Sequence, residues 1–173
     1  MKGDYDLCLK QILHHEGGFV HNPHDPGGMT NLGVTKAVWE AYVGHKVDEA
    51  AMRALTPEVV GPLYKKNYWD KLHCDDLPGG LDLCAFDFAV NGGPGRSAKF
   101  VQRLVGAHED GAIGPGTIAK VNEYVAQHGA PAALKAFQEL RRAYYRSLPT
   151  FGTFGKGWLR RVDEVEATAL TMA

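Results

Sequence analysis

The stretch EGGFVHNPHDPGGMTNLGVT, residues 16–35, decides how this chain is to be read. It comes after a helical pattern predicted from about Asp4 to Glu16. Advancing about 100° per residue from Tyr5, Ile12 and Glu16 return to within roughly 20° of it, flanked by Cys8, Leu9 and Leu13. Glu16 therefore falls on the stripe that faces the core. A carboxylate on such a face loses hydration, and desolvation favours its protonated form, which is what a general acid needs. The plainer reading is that Gly17-Gly18 stops the helix and returns Glu16 to water. The next segment weighs against it. Asn22-Pro23-His24-Asp25-Pro26-Gly27-Gly28 is dense in turn formers, each fixing the backbone by a different route. The loop is expected to be tightly shaped, with Asp25 and Thr30 close in sequence to Glu16. An acid, a second carboxylate and a hydroxyl near one cleft suit glycosidic-bond hydrolysis.

These residues resemble a known signature. Glu16-Gly17-Gly18-Phe19, then Asn22-Pro23-x-Asp25-Pro26-Gly27-Gly28-x-Thr30-Asn31-x-Gly33-Val34-Thr35, is similar to that of glycoside hydrolase family 108, the lysozyme-like N-acetylmuramidases of phage endolysins and related bacterial loci. The resemblance implies an α+β lysozyme-like fold and makes Glu16 the catalytic residue. The order Glu, Asp, Thr is also similar to the set used by lysozymes of other phages, where the gap before Thr is one residue longer. On this basis Glu16, Asp25 and Thr30 are the catalytic candidates, and Asn31, Tyr68 and Asn91 the candidates for contact with substrate.

The rest of the pattern is helical almost throughout, which makes the fold class mainly α. Residues 19–34 form a small lobe, with Phe19-Val20 and Leu32-Gly33-Val34 expected as a hairpin. Thr35 is a suitable N-cap for a helix through Trp39 and Tyr42. A short helix is expected near Glu49–Leu55. Thr56-Pro57-Glu58 supplies a cap, a first-turn proline and an acid for a helix reaching Tyr68-Trp69. Leu81–Asn91 is apolar nearly all round, which marks a buried central helix. Its exceptions are Asp82 and Asp87, with Asn91 before Gly92-Gly93 either a helix stop or a residue lining the cleft. Asp87, Asn91 and Gly93 match an Asp-x-x-x-Asn-x-Gly stretch of the resembled family, and Asp87 is expected as a buried structural hydrogen-bonder.

From Arg96 the chain resembles a peptidoglycan-binding module: a helix with central Gln102, then Asp110-Gly111-x-x-Gly114-Pro115-x-Thr117, with Thr117 expected as the next N-cap. A helix over residues 131–148 places Leu134, Phe137, Leu140 and Tyr144 at core spacing and Lys135, Arg141, Arg142 and Arg146 on other faces. Phe151–Arg161 is expected to join it to a last helix, with Trp158 as a core anchor. One lysozyme-like domain is expected, with residues 1–90 as a catalytic lobe and 91–173 as a peptidoglycan-binding-like lobe sharing the cleft.

At 173 residues the chain suits one compact domain. Its net charge of −1 is uneven: residues 1–90 carry 8 Lys/Arg against 13 Asp/Glu, and residues 91–173 carry 11 against 7. A basic half suits an anionic polymer, and two solvated faces account for the split equally well. Between 131 and 161 seven Lys/Arg interleave with aromatic residues, yet the overall charge is too low for a dedicated nucleic-acid binder. No apolar run approaches the ~20 residues of a membrane span. The acidic start, Met-Lys-Gly-Asp-Tyr-Asp, lacks a signal-peptide pattern. Synthesis in a cytoplasm is therefore expected, with access to the wall through a holin or a secretion apparatus. Three cysteines, Cys8, Cys74 and Cys84, form no complete disulfide framework; free thiols are expected.

Two other function classes are tested by the same residues. A zinc amidase is suggested by His14, His15, His21 and His24 around Glu16, but His-Glu-x-x-His is absent and adjacent His14-His15 chelate poorly from a helix. A non-catalytic wall-binding protein using residues 96–173 would not need Glu16 and its loop. A lytic transglycosylase, which uses one Glu, stays close to the main reading. The expectation is a monomeric peptidoglycan hydrolase without metal or other cofactor.

Overall fold

The computed structural model describes residues 3–24 and 28–173, and its chain divides into two compact units: Leu9–Lys66, and Met1–Cys8 with Asn67–Ala173. The candidate Asp25 lies outside the described residues. Helix α1 (Tyr5–His15) begins in the larger unit and ends in the smaller; a wide π-turn, Lys65–Trp69, returns the chain.

In the smaller unit Leu9 and Ile12 are buried along α1, as the helical stripe predicts. The short strands β1 (Val20–His21), β2 (Met29–Asn31) and β3 (Val34–Thr35) then form an antiparallel sheet in the order β1-β2-β3. Val20 pairs with Thr30, and Thr30 with Thr35. The expected hairpin is thus one strand larger. Met-Thr-Asn has no apolar alternation to announce it, and its edges supply the pairing instead. Side chains alternate across a strand. Asn31 and Val34 point inward, 5% and 2% exposed, while Thr30 lies on the face shared with exposed Val20.

Helix α2 (Lys36–Val43) starts at Thr35, whose hydroxyl accepts from Val38 N, and α3 (Glu49–Arg53) starts at Asp48. Thr56 caps α4 (Pro57–Tyr64) through Val59 N. This helix ends at Tyr64 rather than reaching Trp69, because from Lys65 its turns widen into the π-turn and then a 3₁₀ turn over Asp70–Leu72. Gly61 lets Leu9 of α1 approach α4, with Leu9 Cδ2 3.3 Å from where a Gly61 Cβ would stand.

The larger unit is built around α5 (Leu81–Gly92), buried from Leu81 to Ala89. Helices α6 (Pro94–Leu104), α8 (Ala130–Ser147) and α9 (Phe151–Leu170) pack on it, and α7 (Pro115–His128) packs on α8. Phe88 meets Phe100 at 5.1 Å and Tyr144 at 5.8 Å between ring centres, while Ser97 Oγ donates to Ala85 O at 2.7 Å. Gly80 opens α5 at φ +83°, where a Cβ would stand 2.5 Å from Ala169 O. Only a residue without a side chain fits there.

Three sequence expectations change in this unit. The glycine-bearing segment from Phe151 is the start of α9 itself. Gly155 has no room for a side chain beside the Phe151 ring, so packing outweighs glycine's poor helix propensity. Thr117 is the third residue of α7, buried at 8%, and Gly114 takes the N-cap position. On α8 the buried set is Ala133, Leu134, Phe137, Gln138, Arg141 and Tyr145, with Leu140 and Tyr144 only half-buried. Arg141 thus lies on the core stripe, because it has a buried carboxylate to meet. Trp158 is half-buried, stacked on Tyr145 at 5.2 Å. The three cysteines are free and buried. Among the described residues no helix is long and apolar enough to cross a membrane.

Candidate active site

Glu16 stands immediately beyond the last residue of α1, half-buried, with its N–H still donating to Ile12 O at 3.2 Å. The helix therefore holds the base of the side chain even though Gly17 and Gly18 have left it. The chain then turns so that Leu32 N donates to Gly17 O at 3.1 Å. This brings the β2–β3 turn against the end of the helix.

That turn consists of Leu32 at φ +51° and Gly33 at φ +75°. Two successive residues at positive φ are what the tightest hairpin turns require. Leucine is poorly suited to that region, and such strain persists only where the surroundings fix it. Here they do: besides the Gly17 contact, Tyr64 Oη donates to Leu32 O at 2.7 Å. Tyr64 is the last residue of α4 and 1% exposed.

Gly33 is exposed, and the space where its side chain would stand is bounded by the side chains of Glu16 and Tyr64. A Cβ there would lie 2.5 Å from Tyr64 Oη, 2.8 Å from Glu16 Oε2 and 2.9 Å from Glu16 Cγ. The Glu16 carboxylate and the Tyr64 hydroxyl thus converge over the bare Cα of Gly33. Neither could do so past an alanine. The result is a carboxyl group beside a phenol, over an open patch of backbone, at the rim of a sheet whose solvent face carries Thr30.

Asn31 serves this arrangement from behind. Its Nδ2 donates to Met52 O at 2.8 Å and Arg53 O at 3.5 Å, tying β2 to α3. Its amide nitrogen is engaged inside the unit rather than presented at the open face. The same helix is held on its other side by Arg53, whose guanidinium sits 4.0 Å over the Phe19 ring and pairs with Glu49 at 2.7 Å. His21 Nδ1 lies 3.6 Å from Glu49. The Glu-Gly-Gly-Phe stretch is therefore pinned at both ends, by α1 and by α3.

The remaining candidates belong to the larger unit. Tyr68 lies half-buried in the π-turn. Asn91 is exposed on the last turn of α5. Asp87, one turn earlier, is fully buried between Arg141 Nη2 at 2.6 Å and Arg161 Nη2 at 2.8 Å. Burial alone would push its carboxyl up; the two guanidinium groups outweigh that and hold it below the usual carboxylate range. Gln102, 1% exposed, clasps the loop before α7: its Nε2 donates to Asp110 Oδ1 at 2.7 Å and Ala112 O at 3.0 Å, and its Oε1 accepts from Gly111 N at 2.9 Å. Among the described residues no group of three or more His, Cys, Asp or Glu is placed to hold a metal ion.

Sequence reasoning missed Tyr64 and the role of Gly33. The available signal was the apolar run Val60, Leu63, Tyr64 ending the helix that Thr56-Pro57 begins. A tyrosine closing a buried stripe needs a partner for its hydroxyl.

The family model for glycosyl hydrolase 108 matches residues 9–93. A solved structure titled "Structure of Brucella abortus SagA" is 40% identical, covers 98% of this chain and 95% of that one, and superposes with a TM-score of 0.83. The chain belongs to glycosyl hydrolase family 108. Its α+β lysozyme-like fold is the expected one, and at family level it is a peptidoglycan hydrolase. The matched residues run from within α1 to the end of α5, and so take in Glu16, Gly33 and Tyr64. No curated protein sequence matches the chain.

Proposed function

We propose that this glycosyl hydrolase 108 member is an N-acetylmuramidase that cleaves the β-1,4 bond between N-acetylmuramic acid and N-acetylglucosamine, with Glu16 as the proton donor. The observation that carries the reading is the convergence of Glu16 and Tyr64 over Gly33. A general acid must deliver its proton to one oxygen at hydrogen-bond distance. A carboxyl anchored at a helix end and set beside a buried phenol and a strained turn meets that need better than one on a free side chain.

Glu16 protonates the leaving glycosidic oxygen as the ring carbon gains oxocarbenium character. Asp25 and Thr30 are assigned to the water: Asp25 takes its proton, and the Thr30 hydroxyl orients it. Tyr64 acts through Glu16 and the Leu32–Gly33 turn, as a positioning residue. Asn31 keeps β2 in register with α3 and so holds Thr30 in place. Tyr68 and Asn91 contact the glycan, and the helices from Pro94 onward add wall contacts in keeping with their resemblance to a peptidoglycan-binding module.

The test is product analysis on purified peptidoglycan with the parent, Glu16→Gln and Asp25→Ala. New reducing ends on muramic acid support the reading, and Asp25→Ala should cost less than Glu16→Gln, because solvent partly replaces a water-holder but not an acid. Anhydro-sugar ends would instead assign a lytic transglycosylase, and released peptides an amidase.

A further inference from the structure

Asn91 is exposed at the end of α5, yet two guanidinium groups address its side chain. With its carbonyl oxygen turned toward them it accepts from Arg161 Nε at 3.2 Å and Arg141 Nη2 at 3.0 Å. The reverse orientation would set its NH2 against donors alone. Arginine has no acceptor and keeps its charge at any working pH, so the direction of the amide is fixed. The NH2 group points away from the arginines.

This backing is more than a helix stop requires. Gly93, at φ +90°, closes α5 with its own N–H on Ala89 O. The arginines are in turn fixed by Asp87: Arg141 Nη2 lies 2.6 Å from Oδ2, and Arg161 Nη2 and Nε lie 2.8 and 3.0 Å from Oδ1. Asp87 and Arg141 are both wholly buried. Arg141 is further held by Nε on Tyr145 Oη at 3.1 Å. A buried ion pair is weak evidence for stability, since apolar packing of the same volume does as well. What this one has that apolar packing lacks is the ability to aim Asn91.

We propose that Asp87, Arg141 and Arg161 are positioning residues that hold Asn91 as a one-way hydrogen-bond donor for the N-acetyl carbonyl of the glycan strand. The proposal rests on the glycan-hydrolysis reading of the protein. A sugar hydroxyl both donates and accepts, so it gains little from an amide fixed in one direction. An acetamido carbonyl only accepts, and a donor locked toward it needs no reorientation on binding.

The experiment compares kcat/KM on soluble N-acetylated glycan strands and on the same strands after de-N-acetylation. The parent should prefer the acetylated substrate. Asn91→Ala, at an exposed position, should lower kcat/KM on that substrate about tenfold, mainly through KM, and lower it clearly less on the de-N-acetylated substrate. Arg161→Gln should show the same selective loss in the parent and add nothing in the Asn91→Ala background. Equal losses on both substrates, or a full additional loss from Arg161→Gln in that background, would overturn the proposal. Glu16→Gln is the control for the glycan-hydrolysis reading: if that variant still cleaves the glycan, the assignment of the acid fails while the acetyl selectivity of Asn91 is still read.

Discussion

At the scale of single residues, Gly33 decides whether the proposed site can form. Its Cα is the floor over which the Glu16 carboxylate and the Tyr64 hydroxyl meet, and its φ of +75° suits a residue without a side chain. Gly33→Ala should therefore displace Glu16 and cut turnover by about 10²-fold, the scale expected of a misplacement near 1 Å. Steady-state kinetics with a thermal melt would check that the loss exceeds any loss of fold. Tyr64→Phe tests the same point from the other side. It removes the hydroxyl that donates to Leu32 O, at a cost of about 1–3 kcal/mol if that carbonyl is left without a partner. Since Leu32 sits at φ +51° with that bond as one of its restraints, the turn should relax and activity fall with stability. A Tyr64→Phe variant with parental Tm and turnover would remove Tyr64 from the positioning of Glu16.

Among the elements, the buried pair between α5 and α8 is the feature most open to a simple substitution. Asp87→Asn leaves Arg141 wholly buried with less than its charge compensated, and breaking such a pair costs about 3–5 kcal/mol. Denaturant unfolding should show that loss. A change below about 1 kcal/mol would mean that water reaches the pair. The two partners also show what was legible in the sequence. Asp87 stood out because it interrupts an apolar helix, and its role as a buried hydrogen-bonder follows from that alone. Arg141 did not stand out, because a cation among several others on a helix reads as solvated until its carboxylate is known. The caps at Thr35 and Thr56 were legible because a hydroxyl before a helical pattern satisfies a nearby N–H whatever the tertiary context. The start of α9 was not, since Gly152, Gly155 and Gly157 argue against helix locally, and only the Phe151 ring packed against Gly155 explains the glycine there. The same division holds at the site. Glu16 is read from its stripe, whereas Tyr64 meets it through a strained hairpin that no periodicity announces.

For the whole molecule, acid–base linkage and the overall reaction are the quantities to measure. Burial pushes the Asp82 carboxyl up to about 6 from an ordinary 3.8, despite the Leu83 N–H donated to it at 2.7 Å. The fold therefore holds a proton there that the unfolded chain releases. This contribution favours the folded state below about pH 4 and is lost as the pH rises through about 6. Asp87 works in the opposite sense, its contribution present above about 4 and lost as the pH falls through its depressed value. Between about pH 4 and 7 the Tm should decline through Asp82, and Asp82→Asn should flatten that slope; an unchanged slope would assign the dependence to another group. Whether Glu16 is the acid of a muramidase is decided by borohydride reduction of peptidoglycan digested by the parent and by Glu16→Gln, with the reduced sugar ends quantified. The expected result is muramic acid ends from the parent and at least ~10²-fold slower release by a Glu16→Gln protein that melts at the parental temperature. Release by Glu16→Gln within about tenfold of the parent would contradict it.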